Sequence, residues 1–223
     1  MKAMILAAGR GERLRPLTDY TPKPLLKAGG KSLIVHLIER LVNAGFVDIV
    51  INYAHLGEQF PAVLGDGSRW NAKITYSPEL SGGLETAGGI IHAQPLLGNK
   101  PFLVVNGDIW TDFDFATLHN CLTNNALCHL VLVPNPPQHP DGDFYLDSNN
   151  QIHPQGPAKS TFSGIGVYQP ELFAGLDDTK RPLKPLLLKA MQQNRATGML
   201  YDGVWSDIGT AERLAALDHQ LSY

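Results

Sequence analysis

The sequence is poor in cysteine and in long apolar runs, and both shortages narrow the possible classes of protein. Its 223 residues include only two cysteines, Cys121 and Cys128, in neither a CxxC nor a histidine-rich context. That number is too small for a disulfide framework, so it favours buried thiols in a reducing compartment such as the cytoplasm. The apolar run at 3–8 is shorter than a signal-peptide core, and no segment approaches the ~20 apolar residues that span a bilayer. We therefore expect no membrane partner.

Charged residues are also scarce, and they are unevenly distributed. They make up 17% of the chain, and the formal net charge is -3, which argues against a nucleic-acid partner. The first 31 residues differ from this average because they hold seven basic side chains and only two acidic ones. The basic residues are Lys2, Arg10, Arg13, Arg15, Lys23, Lys27 and Lys31, and the acidic ones are Glu12 and Asp19. Positive charge confined to one stretch favours a phosphate site.

The basic stretch surrounds a glycine-rich loop with the sequence LAAGRGERLRPLTDYTPKPLL at residues 6–26. Gly9 and Gly11 leave the backbone free of Cβ atoms, so that amide N–H groups can turn toward an anion. Arg13 and Lys23 place cations beside this group of amides. The loop therefore predicts a phosphate cradle, and the alternative is an ordinary glycine-rich turn with solvated arginines.

Two well-known phosphate-binding motifs are absent from this loop. A dinucleotide GxGxxG loop that starts at Gly9 requires a further glycine at the position of Leu14. A Walker A loop that ends in Gly30, Lys31 and Ser32 requires a glycine at the position of Leu25. Each motif lacks one required glycine, so the sequence indicates neither a dinucleotide-binding loop nor a Walker A loop.

The spacing of apolar residues predicts strands that alternate with helices. Strands are predicted at residues 2–7, 48–53, 73–77 and 101–105. Helices are predicted at residues 32–44, 55–64 and 86–97, the last interrupted near Pro95. This alternation is typical of an α/β protein with a doubly wound, mostly parallel, Rossmann-like sheet.

The second half of the chain has a different pattern. Short strands are predicted at residues 129–133, 144–146, 151–153 and 162–168, without long helices between them. They indicate a small antiparallel β extension over the ligand crevice. A helix at 183–193, a strand at 197–201 and a helix at 210–221 complete a chain short enough to form a single domain.

Two aspartates are the candidate metal ligands. Asp108 follows a predicted strand in the sequence Asn106, Gly107, Asp108, and Asp207 precedes a glycine turn in WSDIGT. Each aspartate alone can be a turn or capping residue. Together with a phosphate loop, they suit Mg²⁺, which binds a few protein oxygens, substrate phosphates and waters. The eight histidines are scattered, so no softer metal is indicated.

Two further features have both a functional and an ordinary interpretation. Glu85 and Thr86 open a predicted helix that continues through Gly88, where free amides can bind a nucleobase edge or a phosphate. Ordinary helix capping is the alternative. Trp205 is either a core aromatic or a lid against a sugar ring.

Six motifs occur in a fixed order along nearly the whole chain: LAAGRGERLRPLT, PKPLL, LETAGG, NGD, FSGIGVY and WSDIGT. This ordered set resembles the sugar-1-phosphate nucleotidyltransferases. The resemblance implies a GT-A-like nucleotidyltransferase fold, with a nucleotide-binding core at 1–134 and a sugar-binding part at 135–223. The compact length, without a trailing left-handed β-helix, is most similar to the uridylyltransferases that act on N-acetylmuramic acid α-1-phosphate. It also favours a monomer. Mannose-1-phosphate guanylyltransferases and glucose-1-phosphate thymidylyl- or uridylyltransferases are close relatives of that group.

The resemblance also implies roles for individual residues. Those matched to the nucleotide site are Ala8, Gly9, Gly11, Glu12, Arg13, Lys23, Gly83 and Gly88. Those matched to the sugar site are Asn106, Asp141, Gly156, Lys159 and Trp205. Asp108 and Asp207 match the Mg²⁺ ligands, and with Arg13 and Lys23 they form the catalytic set. Many larger relatives carry an EKP segment that binds the sugar phosphate, whereas this chain has HPQGPAKS, in which Lys159 is the nearest basic residue.

The implied reaction is in-line attack of a sugar 1-phosphate on the α-phosphorus of UTP, which gives a UDP-sugar and pyrophosphate. Its implied place is peptidoglycan recycling in the cell. Two interpretations from other classes stay open. The same loop and metal can transfer a nucleotide to phosphocholine, and the chain can be a nucleotide-sugar-binding module without catalysis.

Overall fold

The structure is a computed structural model that describes residues 1–79, 82–123 and 125–222. The strands β1 to β13, in chain order, are Lys2–Leu6, Lys27–Ala28, Lys31–Ser32, Asp48–Tyr53, Lys73–Pro78, Phe102–Asn106, Ile109–Thr111, Cys128–Val133, Tyr145–Leu146, Ile152–His153, Thr161–Tyr168, Ala196–Leu200 and Trp205–Asp207. The helices α1 to α5 are Leu33–Asn43, Gln59–Leu64, Glu85–Leu97, Lys184–Gln192 and Ala211–Ser222. Short 3-10 turns occupy much of the glycine-rich loop.

A seven-stranded sheet organises the molecule, with the strand order β12-β8-β11-β6-β1-β4-β5. Neighbouring strands are parallel except on the two sides of β11, which runs antiparallel to β6 and β8. From β1 the chain adds β4 and β5 on one side of β1, and it then returns to add β6 on the other side of β1. The prediction of a doubly wound, mostly parallel sheet is therefore confirmed, and its switch point lies between β1 and β6.

The sheet is covered on both faces, as the apolar character of β1 predicts. Ala3 and Ile5 pack in one core cluster, and Met4 packs in the cluster on the opposite face. Because side chains of a strand alternate between faces, both neighbours of Met4 point the other way. The first cluster includes the buried face of α1, and the second includes those of α3 and α4.

A third, smaller cluster joins the C-terminal helix to the glycine-rich loop. Leu214 and Leu217 of α5 are buried against Leu14 of the loop and Trp110 of β7. Asp218 of the same helix adds a hydrogen bond, because its Oδ1 accepts from the amide of Gly29 at 2.8 Å. The last helix therefore supports the loop that carries the basic residues.

Four predicted elements differ from the structure in extent or placement. Helix α2 starts at Gln59 rather than at residue 55, because residues 54–57 form a turn. Helix α3 is not interrupted at Pro95, which lies in the last turn of the helix and removes the backbone hydrogen bond to the carbonyl of residue 91. Strands β8 and β11 do not belong to a separate extension but enter the main sheet, whereas β9 and β10 form the small antiparallel pair.

Cys121 and Cys128 are free thiols; Cys128 is buried, as the sequence predicts, whereas Cys121 is only half-buried. Burial raises the pKa of Cys121 to about 11 and that of Cys128 to about 12, because the thiolate is poorly solvated there. Both side chains are therefore protonated at neutral pH. In the part of the chain that the structure describes, no helix is both long and apolar enough to cross a bilayer.

His129, on β8, is buried, and its Nδ1 lies 3.0 Å from Thr197 Oγ1. Burial lowers its pKa from 6.5 to about 4. Between these two pH values the imidazole is protonated in the unfolded chain but neutral in the folded protein. Stability is therefore lost as pH falls through this window. We expect the free energy of unfolding to fall by about 2 kcal/mol between pH 7 and pH 5 from this residue. Urea unfolding of wild type and His129→Gln checks this, because the fall should be smaller by that amount in the variant.

Candidate active site

The ends of β1 and β6 meet at the switch point of the sheet. Leu6 pairs with Asn106 in the parallel ladder, and the amide of Gly107 donates a 2.8 Å hydrogen bond to the carbonyl of Leu6. Ligands of doubly wound sheets bind beyond the carboxyl ends of the strands at such a point. The glycine-rich loop and the segment 106–108 therefore open on one crevice.

Gly11 shapes the glycine-rich loop, and here a glycine is required. Its φ is +65°, and a Cβ atom at this position would lie 2.9 Å from Thr18 Cγ2 and 3.0 Å from Lys23 Cβ. Its carbonyl accepts hydrogen bonds of 2.9 Å from the amide of Leu14 and from Thr18 Oγ1. Gly11 therefore lets the loop fold back onto Lys23, although neither it nor the exposed Glu12 lines a cavity of this crevice.

The first cavity has a volume of about 370 Å³ and lies between the glycine-rich loop, the segment 82–86 and the end of β6. It brings together six residues that the sequence assigned to a site: Ala8, Gly9, Lys23, Gly83, Asn106 and Asp108. Backbone strain is present at its edge, because Glu85 has a φ of +59° although it is not glycine. Such strain occurs most often at functional sites.

Lys23 and Asp108 form the central ion pair of the crevice. Lys23 Nζ lies 2.5 Å from Asp108 Oδ2, and the Lys23 side chain is only 9% exposed, against 36% for Asp108. A buried ammonium needs a charged or hydrogen-bonding partner because its desolvation is costly. Asp108 therefore holds Lys23 at the wall of the cavity.

A second cavity, of about 330 Å³, is lined by both predicted metal ligands, Asp108 and Asp207, together with Arg13 and Trp205. Antiparallel pairing of β7 and β13 brings the two aspartates together, because Asp207 lies opposite Ile109. The amide at 208 donates a 2.8 Å hydrogen bond to the carbonyl of Asp108. Two acids that are far apart in sequence thus become neighbours.

Each of these carboxylates has one oxygen engaged and one oxygen free. Asp207 Oδ1 accepts from Gln138 Nε2 at 2.8 Å and from Arg213 Nη1 at 2.7 Å. Asp207 Oδ2 and Asp108 Oδ1 accept no hydrogen bond from any residue that the structure describes. Two free carboxylate oxygens on one cavity fit a hard divalent ion such as Mg²⁺, which also uses phosphate oxygens and waters. Among the described residues no group of three or more His, Cys, Asp or Glu side chains forms a closed metal cage.

A third cavity, of about 430 Å³, lies beside the first. Its walls are mostly apolar, with Phe144, Phe162 and Leu187, and Asp143 and Lys184 add charge. Asn106 lines all three cavities, and its amide approaches Gly164 so closely that a Cβ there would lie 2.5 Å from Asn106 Nδ2. The three cavities therefore meet at one residue.

Several predicted residues lie away from these cavities. Asp141, Gly156 and Lys159 line none of them, within the limits of the described chain, and Gly156 packs against the ring of Tyr145. The acid of the Pro-rich loop that lines a cavity is Asp143. Gly88 is buried in α3, where its amide donates to the carbonyl of Arg181 and a Cβ would lie 2.4 Å from the carbonyl oxygen of residue 179. Its visible role is close packing, and a role in ligand binding stays a prediction.

Sequence reasoning missed a buried network at the edge of the first cavity. Asn52 Oδ1 accepts from the amide of Ala7 at 2.8 Å, and Asn52 Nδ2 donates to Glu79 Oε1 at 2.6 Å. Glu79 Oε2 accepts from the amide of Leu84 at 2.7 Å, and Glu79 is 6% exposed. The network ties the end of β1 to the start of α3. Its signal in the sequence was available, because both side chains lie at the carboxyl ends of predicted parallel strands.

Comparison with known proteins gives matches along the whole chain. The model of the Nucleotidyl transferase family matches residues 2–222. N-acetylmuramate alpha-1-phosphate uridylyltransferase from Neisseria meningitidis is 54% identical over 220 residues, which cover 96% of this chain and 95% of that protein. The protein of the same name from Caulobacter vibrioides is 31% identical over 234 residues, with 99% and 96% covered.

Solved structures share the fold at lower identity. A Bacillus anthracis protein named for glucose-1-phosphate thymidylyltransferase superposes with a TM-score of 0.86 at 23% identity, covering 100% of this chain and 95% of that one. HddC from Yersinia pseudotuberculosis, complexed with GMP-PN, superposes with a TM-score of 0.80 at 18% identity, with 98% of each chain covered. These likenesses support the architecture of the sheet.

Proposed function

The chain belongs to the nucleotidyl transferase family, and from this premise we propose that it transfers UMP from UTP to a sugar 1-phosphate. N-acetylmuramic acid α-1-phosphate is the first candidate for the sugar. The products are the UDP-sugar and pyrophosphate. The likeness to two N-acetylmuramate alpha-1-phosphate uridylyltransferases supports both the nucleotide and the sugar.

One structural observation carries the proposal. Asn106 and Asp108 lie where the first and second cavities meet, with Lys23 on one side and Arg13 and Asp207 on the other. A reaction between two polyanions needs cations and metal-binding carboxylates at the place where the two phosphates approach each other. The third cavity adjoins the same point and offers a ring-sized space with apolar and polar walls. We assign the nucleotide to the first cavity and the sugar to the third.

The proposed chemistry is a single in-line displacement. A phosphate oxygen of the sugar 1-phosphate forms a bond to the α-phosphorus of UTP as the bond between that phosphorus and the α,β-bridging oxygen breaks. The electron pair of the broken bond leaves with pyrophosphate. A phosphate monoester is largely dianionic at pH 7, since its second pKa is about 6, so no general base is needed.

The residues of this chain supply charge and position. Lys23 is fixed against Asp108 at the wall of the first cavity, where its ammonium can balance charge on the α-phosphate as the bond changes. Arg13, exposed on the other side, faces the cavity shared by the two aspartates and can bind the departing phosphates. Asp108 and Asp207 would hold Mg²⁺ on their free oxygens. When bound, this ion neutralises phosphate charge and aligns the reacting oxygens.

Further proposals concern the metabolic role of the protein and its compartment. A role in peptidoglycan recycling follows from the muramic acid sugar. Two free thiols, one buried and one half-buried, agree with a reducing compartment, so we propose the cytoplasm. A monomer and a single domain divided near residue 134 stay predictions.

The proposal is tested by measuring pyrophosphate release for four nucleoside triphosphates against a panel of acceptors with Mg²⁺. The acceptors are the 1-phosphates of N-acetylmuramic acid, mannose and glucose, together with phosphocholine. We expect the highest kcat/KM for UTP with N-acetylmuramic acid α-1-phosphate. A higher value for GTP with mannose 1-phosphate, or for phosphocholine, would replace the proposed substrates. Absence of release with every pair would favour a binding module instead.

Glu79→Gln should weaken nucleotide binding more than it lowers kcat. Both carboxylate oxygens of Glu79 accept from N–H donors, and glutamine replaces one of these oxygens by an NH₂ group. Two donors then face each other, at Asn52 Nδ2 or at the amide of Leu84, and one buried hydrogen bond is lost. An unsatisfied buried donor costs about 1–3 kcal/mol, so we expect an increase of about tenfold or more in the KM for UTP and a lower midpoint in urea. Glu171→Gln, at an exposed pair with Arg195, is the matched control and should change neither value. An unchanged KM for UTP in Glu79→Gln would mean that the network does not position the nucleotide.

A further inference from the structure

Arg213 holds Asp207, which lines the second cavity, although Arg213 is not itself part of the cavity wall and no sequence motif pointed to it. It is in the first turn of α5, and its Nη1 donates a 2.7 Å hydrogen bond to Asp207 Oδ1. Its side chain is 20% exposed. Its other terminal nitrogen, Nη2, donates to no acceptor in the described ranges. One arm of the guanidinium is therefore fixed, and the other is free.

The free arm of Arg213 faces a second free guanidinium across Gly209. An ideal Cβ built on Gly209 would lie 2.4 Å from Arg213 Nη2, 3.0 Å from Arg13 Nη2 and 2.9 Å from Asp207 Oδ2. Arg13 forms no ion pair with any residue of the described chain. Two positively charged groups are thus gathered at one small space, with a single carboxylate beside them.

The same packing holds the backbone positions of both arginines. Leu14, next to Arg13 in the chain, and Leu214, next to Arg213, are buried together in the third core cluster. Groups held by a packed scaffold need little rearrangement when a ligand arrives. Around the two carboxylates Asp108 and Asp207 lie three cations, Lys23, Arg13 and Arg213, so this group retains one positive charge that an anion can balance.

We propose that Arg213 is a phosphate-binding residue of this active site, which holds the pyrophosphate part of the nucleotide between its free Nη2 and that of Arg13. The fork of an arginine allows one arm to stay on Asp207 while the other binds a phosphate oxygen. Gly209 has no side chain that would separate the two arms. This inference rests on the proposed function, because it names the partner of the departing phosphates.

The inference is tested by calorimetric titration with two probes, Mn²⁺ alone and pyrophosphate with Mg²⁺. In Arg213→Gln we expect the affinity for pyrophosphate to fall about tenfold or more, since a charge-assisted hydrogen bond is lost. The affinity for Mn²⁺ should not fall, because a positive charge near the metal site has been removed. Arg213→Lys keeps the charge without the fork and should recover only part of the pyrophosphate affinity.

Two further variants separate charge from structure. Gly209→Ala puts a methyl group between the two guanidinium groups without changing any charge, and it should also weaken pyrophosphate binding. Arg195→Gln removes an arginine of similar exposure, 23%, from an ion pair of similar length, 2.8 Å, far from the cavities. This control should bind both probes like wild type. Thermal melting checks that each variant is folded.

Two results would overturn the inference. One is a pyrophosphate affinity of Arg213→Gln within twofold of wild type. The other is a loss of Mn²⁺ affinity as large as the loss of pyrophosphate affinity, because Arg213 would then act only by orienting Asp207. Neither result depends on turnover of a sugar substrate. An enzyme that releases no pyrophosphate from any substrate pair, but binds pyrophosphate through Arg213, would contradict the substrate assignment alone.

Discussion

Asp108→Asn should lower kcat by at least about 10²-fold while the protein remains folded, since removal of one preorganised charged group at a reacting centre commonly has this effect. The asparagine oxygen can still accept a hydrogen bond from Lys23, which limits the structural damage. The carboxylate that would share a metal ion with Asp207 is lost, however, and the charge that balances Lys23 is lost with it. Steady-state rates over a range of Mg²⁺ concentrations, together with thermal melting, measure both effects.

The control for this variant is Asp114→Asn. Asp114 accepts a 3.0 Å hydrogen bond from the amide of Ala116 at the start of a short 3-10 turn, away from the cavities. Asparagine caps such a turn about as well as aspartate, so the control should keep the wild-type rate. A wild-type rate for Asp108→Asn at limiting Mg²⁺ would refute its assignment as a metal ligand. The same comparison applies to Asp207→Asn.

Lys23→Gln should lower kcat by about 10²- to 10³-fold, because it removes the buried ammonium that we assign to the reacting phosphate. Its effect on stability should be small. Asp108 is 36% exposed, so water can solvate its carboxylate once the lysine is absent, and a buried cation has been removed. Single-turnover rates with the substrate pair of highest kcat/KM separate the chemical step from product release.

The double variant Lys23→Gln/Asp108→Asn provides the sharper test of this ion pair. Residues in direct contact act as a unit, so the loss in the double variant should be clearly smaller than the product of the two single losses. Lys31→Gln, in an exposed pair with Glu39 at 2.8 Å, is the control and should not change the rate. Multiplicative losses would show that Lys23 and Asp108 contribute independently, and would contradict their action as one ion pair.

The local elements of this fold were predictable because they depend on short-range patterns. The unbroken apolar run of β1 predicts a strand buried on both faces, and the periodic apolar residues of α1 predict one covering helix. Alternation of such elements restricts the topology to a doubly wound sheet, whose crevice lies at the carboxyl ends of the strands. Residues that directly follow those strands, such as Ala8 and Asp108, were therefore found from the sequence.

The sugar side was harder to predict because its residues lie in loops. Asp141 and Lys159 are close in sequence to residues of the third cavity, but the turn of the Pro-rich loop places Asp143 at the cavity wall instead. A shift of two residues in a loop has no periodic signal that could reveal it. The insertion of β11 between β6 and β8 was also missed, because strand order depends on long-range pairing.

By itself, the sequence determined the class of fold, the glycine-rich cationic loop and the residue types of the site. Only the tertiary structure decided which of these residues meet. The ladder between β7 and β13 brings Asp207 beside Asp108, and the packing of α5 on the loop brings Arg213 beside Arg13. Backbone propensity acts over a few residues, whereas these meetings arise from strand pairing and core packing between segments that are distant in the chain.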